Sequence, residues 1–214
     1  MPRRKNRIAI SFAFVAFVAL AFAGNVRADS IGPISINTPN SGLSATPGPY
    51  ANVSLLQLNA TTVQVTVTME AAFKMFGTGS PNNGAFGFNV VGSTAGLTVN
   101  GLPAGWSFAF DGQMDGFGQF DVTLACCNPP DAVSGVVFTV VRASGLTAAD
   151  LFEANSTNAH FAIHVAPVDG SPTGFAADSG ATPVPEPASM LLFGGGLMGL
   201  AAGVRYRTRR ESVT

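Results

Sequence analysis

The segment Ala60 to Glu70 reads A-T-T-V-Q-V-T-V-T-M-E, with Val63, Val65, Val67 and Met69 alternating against Thr62, Gln64, Thr66 and Thr68. Side chains point to opposite faces of a strand at every step, so strict alternation specifies a strand with one dry face and one wet one. Similar short runs recur at Val53 to Leu58, Ala72 to Phe76, Phe86 to Val91, Leu97 to Asn100, Trp106 to Phe110, Phe117 to Leu124, Val133 to Val141 and His160 to Val165. Turn formers separate them, as in Gly79-Ser80-Pro81-Asn82-Asn83-Gly84 and Cys127-Asn128-Pro129-Pro130-Asp131. Only Thr147 to Glu153 reads as helical, opened by a Thr with Asp three residues later. About nine short strands at near-regular spacing predict an all-β fold, an antiparallel β-sandwich of jelly-roll type. The sandwich is expected over residues 29–169, followed by a Gly/Pro/Ser/Ala linker over 170–183 that lifts it off a membrane.

The membrane enters through the two ends of the chain. Arg3, Arg4, Lys5 and Arg7 precede a seventeen-residue apolar run, Ile8 to Gly24, and Val26-Arg27-Ala28 offers small or modest residues for a signal peptidase. That order of charge, apolar run and small-residue site is a secretory signal peptide over 1–28, cut between Ala28 and Asp29. An uncleaved anchor is the alternative, because seventeen residues approach the length that spans a bilayer. At the other end Ala188 to Val204 is a second uncharged seventeen-residue run, followed by Arg205, Arg207, Arg209 and Arg210. As a helix it would rise about 25 Å, and the arginines would keep its far end cytoplasmic. A transmembrane helix over 188–204 is therefore expected, with the intervening domain outside the cytoplasm.

Pro185-Glu186-Pro187, the glycine-rich apolar run and the arginine cluster, in that order, resemble the PEP-CTERM sorting signal, here over 184–210. The resemblance covers about thirty residues, and the tail runs four residues further, from Glu211 to Thr214. It implies an exported bacterial protein, anchored in the inner membrane as a precursor and processed by an exosortase-type enzyme. It further implies a mature form at the envelope or outside the cell, in an organism that makes extracellular polysaccharide. Two segments, Asp115 to Asp121 and His160 to Val165, also resemble stretches of PEP-CTERM β-domains, and no activity follows from them.

Between the signal peptide and the apolar run, residues 29–187 hold only Lys74 and Arg142 as bases against eleven acids, a net of −9. A polyanion needs clustered Lys and Arg, so nucleic acid is excluded as a partner. The acids suit a solvated surface or divalent cations. Asp111-Gly112-Gln113-Met114-Asp115-Gly116 begins like a calcium loop, with oxygens at positions 1, 3 and 5 and Gly at 6. Position 12 is Val122 where a bidentate Glu is needed, and Asp121 falls one residue early. A plain hairpin turn explains the same residues, and no metal or other cofactor is expected.

His160 and His164, the chain's two histidines, would share a metal on a helix. Their alternation with Phe161, Ile163 and Val165 instead predicts a strand, on which they stand about 13 Å apart, too far for one ion. Cys126 and Cys127 are adjacent in an exported chain, so either a vicinal disulfide or two unbridged thiols is expected. No nucleophile elbow, zinc-protease motif or phosphate loop is present in the sequence. The function expected is thus that of a non-catalytic envelope or extracellular-matrix protein, associated with exopolysaccharide or biofilm. A carbohydrate-binding module is the rival, and a glycoside hydrolase using a pair such as Asp111 with Asp121 or Glu70 ranks behind it. Exposed aromatic residues in a row would favour the module.

Overall fold

The computed structural model describes residues 29–78, 80, 82–127 and 131–178. The signal peptide, most of the linker, the sorting triplet, the expected membrane helix and the arginine tail all lie outside these residues.

The described chain is all-β. In chain order its strands are β1 (Ser30–Pro39), β2 (Ala51–Asn59), β3 (Thr62–Met69), β4 (Phe73–Met75), β5 (Phe86–Phe88), β6 (Leu97–Asn100), β7 (Ser107–Met114), β8 (Gly118–Ala125), β9 (Gly135–Arg142), β10 (Phe161–Pro167) and β11 (Gly174–Asp178). They form one antiparallel sheet in the order β6-β9-β3-β2-β1-β11-β10-β5-β8-β7, with β4 pairing beside β5 on β10. The sheet curves back on itself so that its two halves become the two layers. Phe138 of β9 meets Phe86 and Phe88 of β5 across the interior, with ring centroids 6.1 and 6.0 Å apart. The outermost strands, β6 and β7, are consecutive in the chain and joined by residues 101–106, so the fold approaches a closed barrel whose last seam is not a ladder.

The alternating segment behaves as its pattern dictates. Val63, Val65, Val67 and Met69 are buried, and β3 pairs with β2 and β9 over nearly its whole length. Each large side chain so removed from water contributes about 1.5–3 kcal/mol, and one apolar cluster gathers them from strands of both halves.

Three expectations change. The linker predicted from residue 170 contains β11, every residue of which is buried between β1 and β10. Its small residues, read as flexibility, are there for close approach: a Cβ on Gly174 would lie 2.7 Å from the Asn40 side-chain oxygen. β1 escaped notice because Pro33 and Pro39 interrupt its pattern, and it pairs with β2 through a register shift between Ile31 and Ile34. The helix expected at Thr147 to Glu153 is a single 3-10 turn, Ala149–Leu151. Its cap does form, with Thr147 N–H donating to Asp150 Oδ2 (2.7 Å) and Asp150 N–H to Thr147 Oγ1 (3.2 Å). The turn stops because Phe152 leaves helical geometry, at φ −111° and ψ 54°, and stacks on His160.

Candidate functional site

The histidine strand is dry on both sides. Phe161, Ile163 and Val165 of β10 enter the main core, and the alternate residues His160, Ala162 and His164 are buried on the opposite face. That outer face is covered by the β7–β8 hairpin. Met114 and Phe120 pack there on Ala159, Ala162, Phe175 and Ala177 to make a second, smaller apolar cluster. Gly87 permits it, since a Cβ there would stand 3.0 Å from the Phe120 ring and 3.1 Å from the Met114 chain. Polar side chains tie the hairpin down: Asn155 Nδ2 donates to the carbonyls of Phe117 (2.7 Å) and Gln119 (3.1 Å), Thr157 Oγ1 donates to Phe117 (2.7 Å), and Asn40 Nδ2 donates to Asp115 Oδ2 (3.2 Å).

At one end of this cluster His160 Nδ1 lies 2.6 Å from Asp178 Oδ2, with side-chain exposures of 6% and 1%. The other carboxylate oxygen of Asp178 accepts the backbone N–H groups of His160 (2.9 Å) and Phe161 (3.0 Å). The imidazole stacks on Phe152, centroids 3.8 Å apart and planes 10° from parallel. A carboxylate so placed fixes the orientation of the ring, the device by which acid–base histidines are also held. At the other end His164 lies between Phe76 and Phe175, at 3.8 and 4.0 Å, and its buried Nδ1 has no hydrogen-bond partner. Burial lowers its pKa from 6.5 to about 4, so the ring is neutral near pH 7. The two rings are engaged separately, and among the described residues no three His, Cys, Asp or Glu side chains are grouped to hold a metal.

The calcium candidates are dispersed. β7 continues to Met114, so Asp111 lies in a strand and not in a loop; it has φ +58° and an exposed side chain, while its carbonyl accepts Gln119 Nε2 at 3.2 Å. Asp115 is engaged by Asn40, and Asp121 Oδ2 accepts the N–H of Val90 at 2.9 Å. Glu70, the other carboxylate considered for hydrolysis, accepts Asn52 Nδ2 at 2.7 Å. Cys126 and Cys127 are joined as a vicinal disulfide with Cα atoms 3.7 Å apart, and the Gly77 N–H donates to the Cys127 carbonyl. A Cβ on Gly77 would stand 2.9 Å from the Cys126 carbonyl oxygen, so only glycine lets that backbone so near.

Asp178 was invisible to sequence reasoning as a partner of His160. It follows Gly-Phe-Ala-Ala with no period to mark a strand, and the pairing spans 18 residues. Trp106, Phe108 and Phe110 were legible as strand residues but not as a row. Trp106 directly precedes the edge strand β7, in which Phe108 and Phe110 hold alternate positions; Trp106 and Phe108 are half-buried against the main core and Phe110 is 40% exposed, with the two Phe rings 5.7 Å apart.

Among the described residues no helix is long and apolar enough to cross a membrane, and the span expected at 188–204 lies outside them. Ala28 and the triplet Pro185, Glu186, Pro187 lie outside them as well, whereas Asp29 is exposed at the start of the described chain. No curated protein and no solved structure matches the chain. Residues 183–210 match the family model of the PEP-CTERM protein-sorting motif. The chain thus carries a PEP-CTERM sorting motif, which indicates an exported protein and implies processing by an exosortase-type enzyme.

Proposed function

We propose that the β-domain is the non-catalytic cargo of its sorting signal, delivered to the envelope or extracellular matrix and retained there with exopolysaccharide. The observation that carries this reading is how the chemistry-bearing side chains are used. His160 and Asp178 serve each other and the β10 backbone, His164 fills an aromatic slot, and Asp115, Asp121 and Glu70 each hold a different segment of the fold. A domain charged −9 over residues 29–187 also suits a hydrated polymer layer better than an anionic surface.

A carbohydrate-binding role has one observation in its favour, the alternation of Trp106, Phe108 and Phe110 at the sheet edge with Phe110 exposed, because aromatic faces are where sugar rings stack. Fractionation of the native host tests both readings. Mature protein with both ends trimmed should be recovered with the polysaccharide layer and should not depolymerise it. Release of reducing sugar from that polysaccharide would overturn the non-catalytic reading. Loss of retention in Trp106→Ala, with the protein still folded, would favour the module. Glu186→Ala should leave export intact and abolish C-terminal trimming; normal trimming would detach the triplet from sorting.

A further inference from the structure

The position of β11 bears on how the sorting enzyme meets this protein. Asp178 is pinned at the end of the sheet by three hydrogen bonds to His160 and Phe161. The sorting motif begins at residue 183, so only residues 179–182 separate the folded domain from it. Seven residues carry the chain from Asp178 to Pro185, a reach of at most about 25 Å even if fully extended. The first residue of the apolar run, Ala188, is within about 35 Å by the same measure. A folded domain on so short a lead stands beside whatever binds the triplet.

The part of the domain that would face such a partner is defined by its contacts. Asn89 Nδ2 donates to the carbonyl of Ala159 at 3.2 Å, joining the β5–β6 connection to the start of β10. The Val91 N–H donates to the Asp150 carbonyl at 2.8 Å, and Arg142 reaches the Val91 carbonyl at 3.0 Å. Phe152, two residues past Asp150, stacks on the ring that Asp178 holds. The exit point of the chain and the Val91 loop are thus one braced end of the molecule. Val91 is 47% exposed there, an apolar side chain beside an ion pair of Arg142 with Asp150 at 3.5 Å.

We propose that this end, centred on Val91 beside the Asp178 exit, is a docking surface for the exosortase-type enzyme, held against it by the short lead. A protein partner is favoured over lipid because the domain's acidity opposes an anionic membrane surface. The proposal rests on the sorting reading of residues 183–210, and its test separates the two.

The experiment follows C-terminal trimming of the full-length chain in its native host, by pulse-chase and immunoblot. Export and protease resistance of the precursor report that each variant is folded. Deleting residues 179–182 should slow trimming at least tenfold. Val91→Glu should slow it several-fold at native length, and ten Gly/Ser residues inserted after Gly180 should cancel that effect. Val91→Lys should slow it as Val91→Glu does. Trimming of the deletion at the wild-type rate, or a Val91→Glu effect that is absent or independent of lead length, would overturn the docking surface. So would a Val91→Lys chain trimmed as fast as or faster than wild type, which would put anionic headgroups where the enzyme is proposed. Glu186→Ala is the control for the motif itself: if it is trimmed normally in the native and the lengthened chain, the sorting reading fails, whatever Val91 does.

Discussion

The two faces of β10 are built from the same six-residue alternation, His160 to Val165, and are held by different physics. The inner face buries Phe161, Ile163 and Val165 among aliphatic and aromatic neighbours from both halves of the sheet. The outer face buries Ala162 under a hairpin that is fastened by Asn155, Thr157 and Asn40, His160 against Phe152 and Asp178, and His164 between Phe76 and Phe175. Removal from water stabilises the inner face whatever neighbour supplies the apolar surface. The outer face depends on named partners, since a buried imidazole costs free energy unless something satisfies it or keeps it neutral. One strand therefore carries a chemically inert side and a side whose stability depends on pH and on single hydrogen bonds.

The largest effect should come from the inert side. Phe161 is fully buried and stacks on Phe86, centroids 5.9 Å apart with planes 12° from parallel. Phe161→Ala should cost about 4 kcal/mol in denaturant unfolding, from lost transfer energy and the cavity left behind. A cost below that of the outer-face changes would reverse the ranking of the two faces. Asp178→Ala comes next, at about 3 kcal/mol, because it strands a buried imidazole and two backbone donors at once. Amide exchange should sharpen the comparison: protection should fall first in β11 and at the start of β10, leaving β3 and β9 as before.

A pH effect should follow from His164. Its pKa is lowered from 6.5 to about 4 by burial between Phe76 and Phe175, so the unfolded chain binds the proton first as pH falls. Its contribution is complete above pH 6.5, drains away as pH falls toward about 4, and changes no further below that. The loss should be on the order of 2 kcal/mol, allowing for partial solvent access to the ring. His164→Phe keeps an aromatic slab in the slot and should remove this slope, read as the difference between the two proteins' unfolding free energies over that range. Parallel curves would place the acid sensitivity elsewhere. The smallest effect is expected from calcium, because the Asp115 and Asp121 carboxylates are tied to Asn40 and Val90 and the Asp111 side chain stands exposed on a strand. Melting temperatures in EDTA and in calcium should coincide; a hundredfold excess over a real dissociation constant would add about 2.7 kcal/mol.

How much was legible followed from the range of each interaction. The all-β class, the central strands and the Thr147 cap, though not the brevity of the turn it opens, were readable because alternation and capping act between residues two or three apart. The separation of the histidines was readable for the same reason, since strand spacing alone keeps them apart. The sorting motif needs only the order of a triplet, an apolar run and arginines, all contiguous in the chain. β1 and β11 were not readable, because one carries prolines and the other small residues, and only their neighbours make them strands.

The sequence by itself determined which residues alternate, which segment directs sorting, and that the exported part is acidic. Tertiary structure alone decided that His160 meets Asp178, that the outer face of β10 is roofed by a hairpin at Ala162, and that strand β11 runs to Asp178, five residues in sequence before the match to the sorting motif begins. Those contacts join residues far beyond the reach of local pattern, 18 positions apart for His160 with Asp178 and 75 for Asn40 with Asp115. Local pattern says which side of a strand is dry, but what covers it depends on where the curved sheet brings distant segments together.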